Sequence, residues 1–194
     1  MYLENINGPS DIQKLNLDEL RILADETRDA LIHKISLVGG HNGPNLGMVE
    51  VTTALHYVFH SPIDKFVFDV SHQSYPHKIL TGRKQAFLDE EHFHDVTGYT
   101  NPEESEHDFF TIGHTSTSIS LALGLAKGRD LNHGKENIIA IIGDGSLSGG
   151  EALEALDYAG EYRNNLIIIV NDNDQSIAEN HGGLYKNLKE LRES

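Results

Sequence analysis

The 194-residue sequence contains no cysteine, which removes disulfides, thiolate metal sites and cysteine nucleophiles together and agrees with a reducing compartment. It is also short of positive charge: 15 Lys and Arg stand against 30 Asp and Glu, a formal net charge of −15. A duplex nucleic-acid binder needs a cationic face to displace counterions from phosphate, so no nucleic-acid partner is expected. Long apolar runs are missing as well. The longest, Ile138 to Ile142 and Leu166 to Val170, span five residues each, whereas a bilayer requires about 20. The opening Met1-Tyr2-Leu3-Glu4-Asn5 carries neither a basic segment nor an apolar one, so no signal peptide is expected. No internal repeat or low-complexity tract is visible. The expectation is a cytoplasmic domain with no membrane contact, built on a composition that is 38% hydrophobic and can support a core.

A helix is expected from Asn16, a good N-cap with Glu19 three residues on, through Leu20, Leu23, Leu31 and Ile35 to the stop at Gly39-Gly40. A second helical pattern runs from about Leu46 to Phe59. Phe66-Val67-Phe68-Asp69-Val70 reads as a strand. The polar, acidic stretch from Asp89 to Asp108 reads as an irregular, surface-exposed excursion. Beyond it the pattern becomes regular, with a helix from near Thr115 to Ser118, a strand over 138–142, a helix from about Gly149 to Tyr162, and a strand over 166–170. In the last of these helices Ala152, Leu153, Leu156, Ala159 and Gly160 place small and apolar groups together. Strand, helix, strand with unbroken apolar strands predicts a βαβ unit in a parallel sheet covered on both faces.

Ligands of open parallel sheets bind beyond the carboxyl ends of the strands. Two such ends carry Gly143-Asp144-Gly145-Ser146 and Asn171-Asp172-Asn173-Asp174. A carboxylate from Asp144 and an amide oxygen from Asn173 converging there are hard ligands, suited to Mg²⁺ or Ca²⁺ and unsuited to zinc. The glycines permit a sharp turn and close approach, and a following helix offers free N–H groups, so the pair implies a diphosphate with its metal.

These motifs resemble the thiamine-diphosphate motif of the transketolase superfamily. More narrowly, Gly40-His41, the run Ala54 to Phe59, the run His72-Gln73-Ser74-Tyr75-Pro76-His77-Lys78-Ile79-Leu80-Thr81-Gly82-Arg83, and Gly113 to Ser120 resemble the 1-deoxy-D-xylulose-5-phosphate synthase family, over about 17–191. The resemblance implies a three-layer α/β/α domain with a mainly parallel central sheet, the thiamine-diphosphate-binding fold. It makes residues 1–194 one diphosphate-binding domain, about a third of a longer or split enzyme. It further implies thiamine diphosphate and Mg²⁺ as cofactors. Asp144, Asn173 and the backbone carbonyl of Gln175 would bind the metal, Gly145 and Ser146 would donate N–H groups to the diphosphate, His72, Gly113, His114 and Thr115 would lie against the cofactor, and Ile177 would pack near its thiazolium ring.

Twelve histidines are more than a bland composition requires. His41, His72 and His114 sit at element boundaries, where imidazoles can donate a proton or a hydrogen bond to a carbonyl oxygen gaining charge. The resemblance makes these three the catalytic candidates in a transferase that decarboxylates pyruvate and condenses it with glyceraldehyde 3-phosphate, a step of isoprenoid biosynthesis. His60, His92, His94, His107, His133 and His181 read as surface residues, His56 and His77 as packing or structural hydrogen-bonding residues, and His33 as a group near a helix C-terminus.

Two kinds of module are needed in this family, so a pyrimidine-binding module from the same or a partner chain, and a homodimer, are implied. The activating glutamate and the arginines for a phosphorylated aldehyde have no counterpart in these residues. The chain also departs from the family pattern at Asn42-Gly43-Pro44-Asn45, at Ser71 in place of glycine, and at Gln175 in place of an apolar residue. A transketolase-type transferase with another donor, or a catalytically incompetent diphosphate-binding module, are the alternatives.

Overall fold

The computed structural model describes residues 1–162, 165–173 and 179–193. The chain forms two compact units, one of Met1–Lys65 with Ser71–Gly113 and one of Phe66–Val70 with His114–Ser194.

The first unit is helical. A 3-10 turn, Leu3–Asn5, and α1 (Pro9–Ile12) precede the long helix α2 (Leu17–Val38). Its start is the expected capping box: the Asn16 side chain accepts from the backbone of Asp18 and Glu19, and the Glu19 carboxylate accepts from Asn16 N–H. Leu20, Leu23, Ala24, Ala30 and Leu31 form its buried stripe. The helix expected from Leu46 to Phe59 is two helices, α3 (Asn42–Leu46) and α4 (Val49–Val58), separated at Gly47 and Met48. After α5 (Tyr75–Lys78) the helical path runs on to Arg83 but breaks at Thr81 and Gly82, the latter at φ +93°, before α6 (Gln85–Leu88). The core joins α2 to Leu3, Ile6, Ile12, Val49, Tyr75, Ile79, Leu80 and Phe87. Lys84, itself buried, donates from Nζ to the carbonyls of Glu4 and Ile6 and so ties the N-terminal turn to this core.

The excursion over 89–108 is irregular as expected, but it is not a surface feature throughout. Phe93, Thr100 and Asp108 are buried. Asp108 accepts from Arg83 Nη1 and Nη2, at 2.7 and 3.0 Å, from Asn101 N–H at 2.8 Å, and from His77 Nε2 at 3.0 Å. His77 Nδ1 in turn lies 3.0 Å from His56 Nε2, with the two rings stacked. Lys78 pairs with Glu104, which also accepts from Thr97. Of the charges in this stretch Asp108 and Glu104 face inward, where Arg83 and Lys78 meet them, while Asp89, Glu90, Glu91, Asp95, Glu103 and Glu106 are exposed. His107 is likewise half-buried and bonds Ser61 Oγ at 2.8 Å, so it is not the free surface group expected.

The second unit is the α/β part. β1 (Lys65–Phe68), β2 (Ile138–Gly143) and β3 (Leu166–Asn171) form a sheet in the order β1-β2-β3. β2 and β3 run parallel, with Ile138 opposite Leu166 and Gly143 opposite Asn171. Every side chain from Ile138 to Ile142 is fully buried, which explains the unbroken apolar run. β3 is only half-buried, so the expectation of burial on both faces fails there; it is the edge of the described sheet. α7 (Ser118–Leu131) packs on β2 and β3, and α9 (Gly150–Glu161) packs on α7. The face of α9 turned inward is Ala152, Ala155, Leu156 and Ala159, at helical spacing. Leu153 and Gly160, assigned to that face from sequence, are exposed. A one-turn helix, α8 (Asp144–Leu147), stands between β2 and α9, and α10 (Gly183–Glu193) closes the chain. Among the described residues no helix is long and apolar enough to cross a membrane.

Candidate functional site

The sequence candidates fall in both units, and the geometry of each group is local to its unit. In the α/β unit the register of β2 on β3 brings the Gly143-Asp144-Gly145 turn beside Asn171-Asp172-Asn173. Asp144 is buried to 2% exposure. Burial raises its pKa above the usual carboxylate value, and the neighbouring Asp172 carboxylate raises it further, against hydrogen bonds donated by the backbone of Gly145 and of Asp144 itself. The Asp172 carboxylate thus acts on Asp144, while Asn173 is exposed. Gln175 and Ile177 lie outside the described residues.

Sequence reasoning missed three contributors from further along the chain. Asn180 Nδ2 donates to Asp144 Oδ2 at 2.7 Å, Tyr185 Oη donates to Ser148 Oγ at 2.7 Å, and Arg192 pairs with Asp172 at 2.6 Å. No local signal marks them, because Asn180 meets Asp144 from 36 positions away and Tyr185 and Arg192 are placed by α10. Among the described residues no three His, Asp or Glu side chains gather as a metal cage. The Asp172 carboxylate beside the buried Asp144 is an arrangement that a dication would relieve.

The turn carrying His114 and Thr115 is held from below by Asp69, a residue the sequence reading passed over. Its buried carboxylate accepts from Ser116 N–H through Oδ1 and from Ser118 N–H through Oδ2, both at 2.9 Å. It thus supplies the cap that the first residues of α7 need. Ser116 takes φ +71° and donates from Oγ to Ser146 O at 2.8 Å, linking the turn to the glycine-rich segment after β2. Gly149 is required beside it, since a Cβ there would overlap Ser116 Oγ. His114 and Thr115 are exposed, with His114 Nδ1 2.8 Å from Thr115 O. Gly113, at the end of the helical unit, is exposed too.

In the helical unit His41 and His72 meet edge to face, with ring centroids 5.4 Å apart and planes at 81°. Tyr99 lies 5.5 Å and Tyr75 6.1 Å from the His41 ring. The Tyr75 hydroxyl reaches His41 Nδ1 at 3.4 Å. Glycine at 40 and 98 makes room for it, since a Cβ at either position would press on Tyr75 Oη, at 3.1 and 3.3 Å. Burial raises the pKa of Tyr75 and so keeps it a neutral donor. Gln73 Oε1 and Ser74 Oγ, beside His72, are buried with no hydrogen-bond partner among the described residues. They leave hydrogen-bonding capacity next to the histidine pair.

The backbone that delivers His72 is strained. Val70 takes φ +58°, an outlier for a β-branched residue, and Ser71 takes φ +68°. The latter is the position where the family pattern has glycine, and the left-handed conformation explains that preference. Serine is held there by its hydroxyl, which donates to Ile112 O and accepts from Thr100 N–H, each at 3.0 Å.

Residues 3–194 match the family described as 1-deoxy-D-xylulose-5-phosphate synthase. Curated proteins of that description include one from Halalkalibacterium halodurans, 51% identical over 192 residues, which covers 99% of this chain and 30% of the relative. One from Caldanaerobacter subterraneus subsp. tengcongensis is 50% identical over 190 residues, covering 98% and 30%. The chain thus spans about 30% of the length of the curated relatives it matches. Among solved structures, transketolase from Campylobacter jejuni superposes with a TM-score of 0.73 at 19% identity, over 91% of this chain and 32% of that one. Transketolase from Leishmania mexicana gives 0.66 at 22% identity, over 81% and 28%. At these identities the structural likeness speaks for the fold alone.

Proposed function

The chain belongs to the 1-deoxy-D-xylulose-5-phosphate synthase family, whose members are thiamine-diphosphate enzymes, and from that premise we propose that it forms the diphosphate-binding part of such a synthase. The observation that carries the reading is the buried Asp144 carboxylate at the end of β2, one strand from Asn171-Asp172-Asn173 at the end of β3. Asp144, the Asn173 side chain and the Gln175 carbonyl are the proposed Mg²⁺ ligands. The backbone N–H groups of Gly145 and Ser146 are assigned to the diphosphate, with His72, Gly113, His114, Thr115 and Ile177 lining the rest of the cofactor. When bound, thiamine diphosphate supplies the carbon nucleophile and electron sink for decarboxylation and ketol transfer.

The chain's own residues then bind and polarise. Asp144 holds negative charge in a buried place where a bound dication would balance both the carboxylate and a diphosphate, which reconciles an acidic protein with an anionic ligand. His41, His72 and His114 are assigned to proton transfer and to hydrogen bonds on carbonyl oxygens that gain charge, with pyruvate as donor and glyceraldehyde 3-phosphate as acceptor. Residues 1–194 serve as one diphosphate-binding domain, and a pyrimidine-binding module, in a homodimeric cytoplasmic enzyme, completes the reading.

Titration of the purified chain with thiamine diphosphate, with and without Mg²⁺, tests the site. Binding is expected only with Mg²⁺ and is lost in Asp144→Ala; affinity indifferent to both overturns the assignment. Pyruvate turnover by the 194-residue chain alone would overturn the need for a second module.

A further inference from the structure

His41 and His72 come from segments about thirty residues apart, and one buried side chain joins them. Asn45, at 0% exposure, donates from Nδ2 to His41 O at 2.6 Å and to His72 O at 2.8 Å. Its Oδ1 accepts from Tyr75 N–H at 2.8 Å. Two carbonyl oxygens repel each other, so these backbone segments stay together only with a donor of two divergent protons between them. A primary amide supplies both protons on one side and an acceptor on the other. Serine or threonine has one proton to give and aspartate none, while glutamine carries one methylene too many for a fully buried place.

The same amide places the second support. Tyr75, held at its backbone by Asn45, returns its hydroxyl to His41 at 3.4 Å from Nδ1 and 3.5 Å from the backbone nitrogen. The hydroxyl donates to Nδ1 when the His41 proton resides on Nε2, so the ring keeps Nε2–H as its free donor. Sequence reasoning met Asn45 only as a departure from the family pattern. The structure gives it a task.

We propose that Asn45 is a positioning residue that sets the edge-to-face geometry of the His41–His72 pair, through the two carbonyls it binds and through Tyr75. The proposal deepens the functional reading, on which its catalytic meaning rests, but the geometry itself is testable without turnover. Nuclear magnetic resonance on the isotope-labelled 194-residue chain reads it directly. The wild type shows couplings across the hydrogen bonds from Asn45 Nδ2 to the carbonyl carbons of His41 and His72, and a ring-to-ring cross-peak between the two imidazoles. Asn45→Asp keeps the shape and the acceptor for Tyr75 N–H but lacks both donors, and it loses that cross-peak. A cross-peak of unchanged strength in Asn45→Asp overturns the proposal. Where that variant does not fold, the couplings in the wild type decide, and their absence overturns it equally.

A kinetic arm in a full-length synthase carrying this segment separates the two readings. Asn45→Asp lowers kcat roughly 100-fold with KM for pyruvate little changed, the cost of a misplacement of about an ångström. Undiminished kcat in His41→Ala removes the catalytic reading of the pair and leaves the magnetic-resonance result on Asn45 standing.

Discussion

Replacing Asp108 by Asn removes the one negative charge on which Arg83 closes with two parallel hydrogen bonds and to which His77 points its Nε2. With its oxygen kept toward Asn101 N–H and Arg83 Nη1 the asparagine turns its amine toward Arg83 Nη2 and His77 Nε2, and flipped it turns that amine toward Arg83 Nη1 and Asn101 N–H, so either choice leaves a buried donor facing a donor. The Asp108 side chain is fully buried and that of Arg83 nearly so. Breaking a buried pair by removing one partner costs about 3–5 kcal/mol, a large share of the total stability of an ordinary domain. Because the chain has no tryptophan, urea unfolding is followed by far-ultraviolet circular dichroism, with hydrogen exchange at the amides of α4 and α5 reporting on the helical unit itself. The double variant Asp108→Asn with Arg83→Met recovers part of the loss, since it no longer strands a cation. A cost below about 1 kcal/mol, the level of an exposed ion pair, would refute the reasoning. So would strict additivity of the two substitutions.

The same cluster makes the helical unit acid-labile. Burial holds His56 well below the usual imidazole value and lowers His77, while His107 is lowered to about 4 by burial and then by His77 and Arg83. The unfolded chain therefore binds more protons below about pH 6.5, so stability is full above that value and falls toward pH 4, by up to about 1.4 kcal/mol per pH unit for each histidine engaged. Urea midpoints flat from pH 7 to 4 would contradict it. At Ser71, Ser71→Ala keeps the left-handed strain and loses two hydrogen bonds, a cost of about 2 kcal/mol, whereas Ser71→Gly relieves about 1–2 kcal/mol of strain and comes out nearly neutral. Thermal unfolding that ranks alanine above glycine would show the strain argument to be wrong. Gly149→Ala overlaps Ser116 Oγ and costs about 1–3 kcal/mol; Ser116→Gly in the same chain restores most of it, and a double-mutant cycle without coupling would count against that contact.

The parts of the fold that are legible in the sequence are those whose signals are local. The start of α2 was readable from Asn16 and Glu19, two residues that satisfy each other's backbone N–H groups, and β2 from five apolar residues in a row. Gly143-Asp144-Gly145 and Asn171-Asp172-Asn173 were readable as the ends of two neighbouring strands, and the parallel register sets them side by side. Histidines 41 and 72 were readable as candidates from their place at element boundaries, and the family resemblance added the chemistry.

Tertiary structure alone decided the rest, wherever a residue's meaning depends on a partner far along the chain. The acidic stretch ending at Asp108 has the composition of a solvated loop, yet Phe93, Thr100 and Asp108 are buried, and the Asp108 carboxylate satisfies Arg83 and His77. Asp69 looks like a strand residue and is the cap of a helix that begins 49 positions later. Asn45 looks like a loop asparagine and joins two histidines by its amide. The absences noted at the outset keep their force, since without cysteine and with few cations the chain had to build its fixed points from carboxylates, amides and imidazoles, whose hydrogen bonds acquire direction only when folding brings their partners within 3 Å.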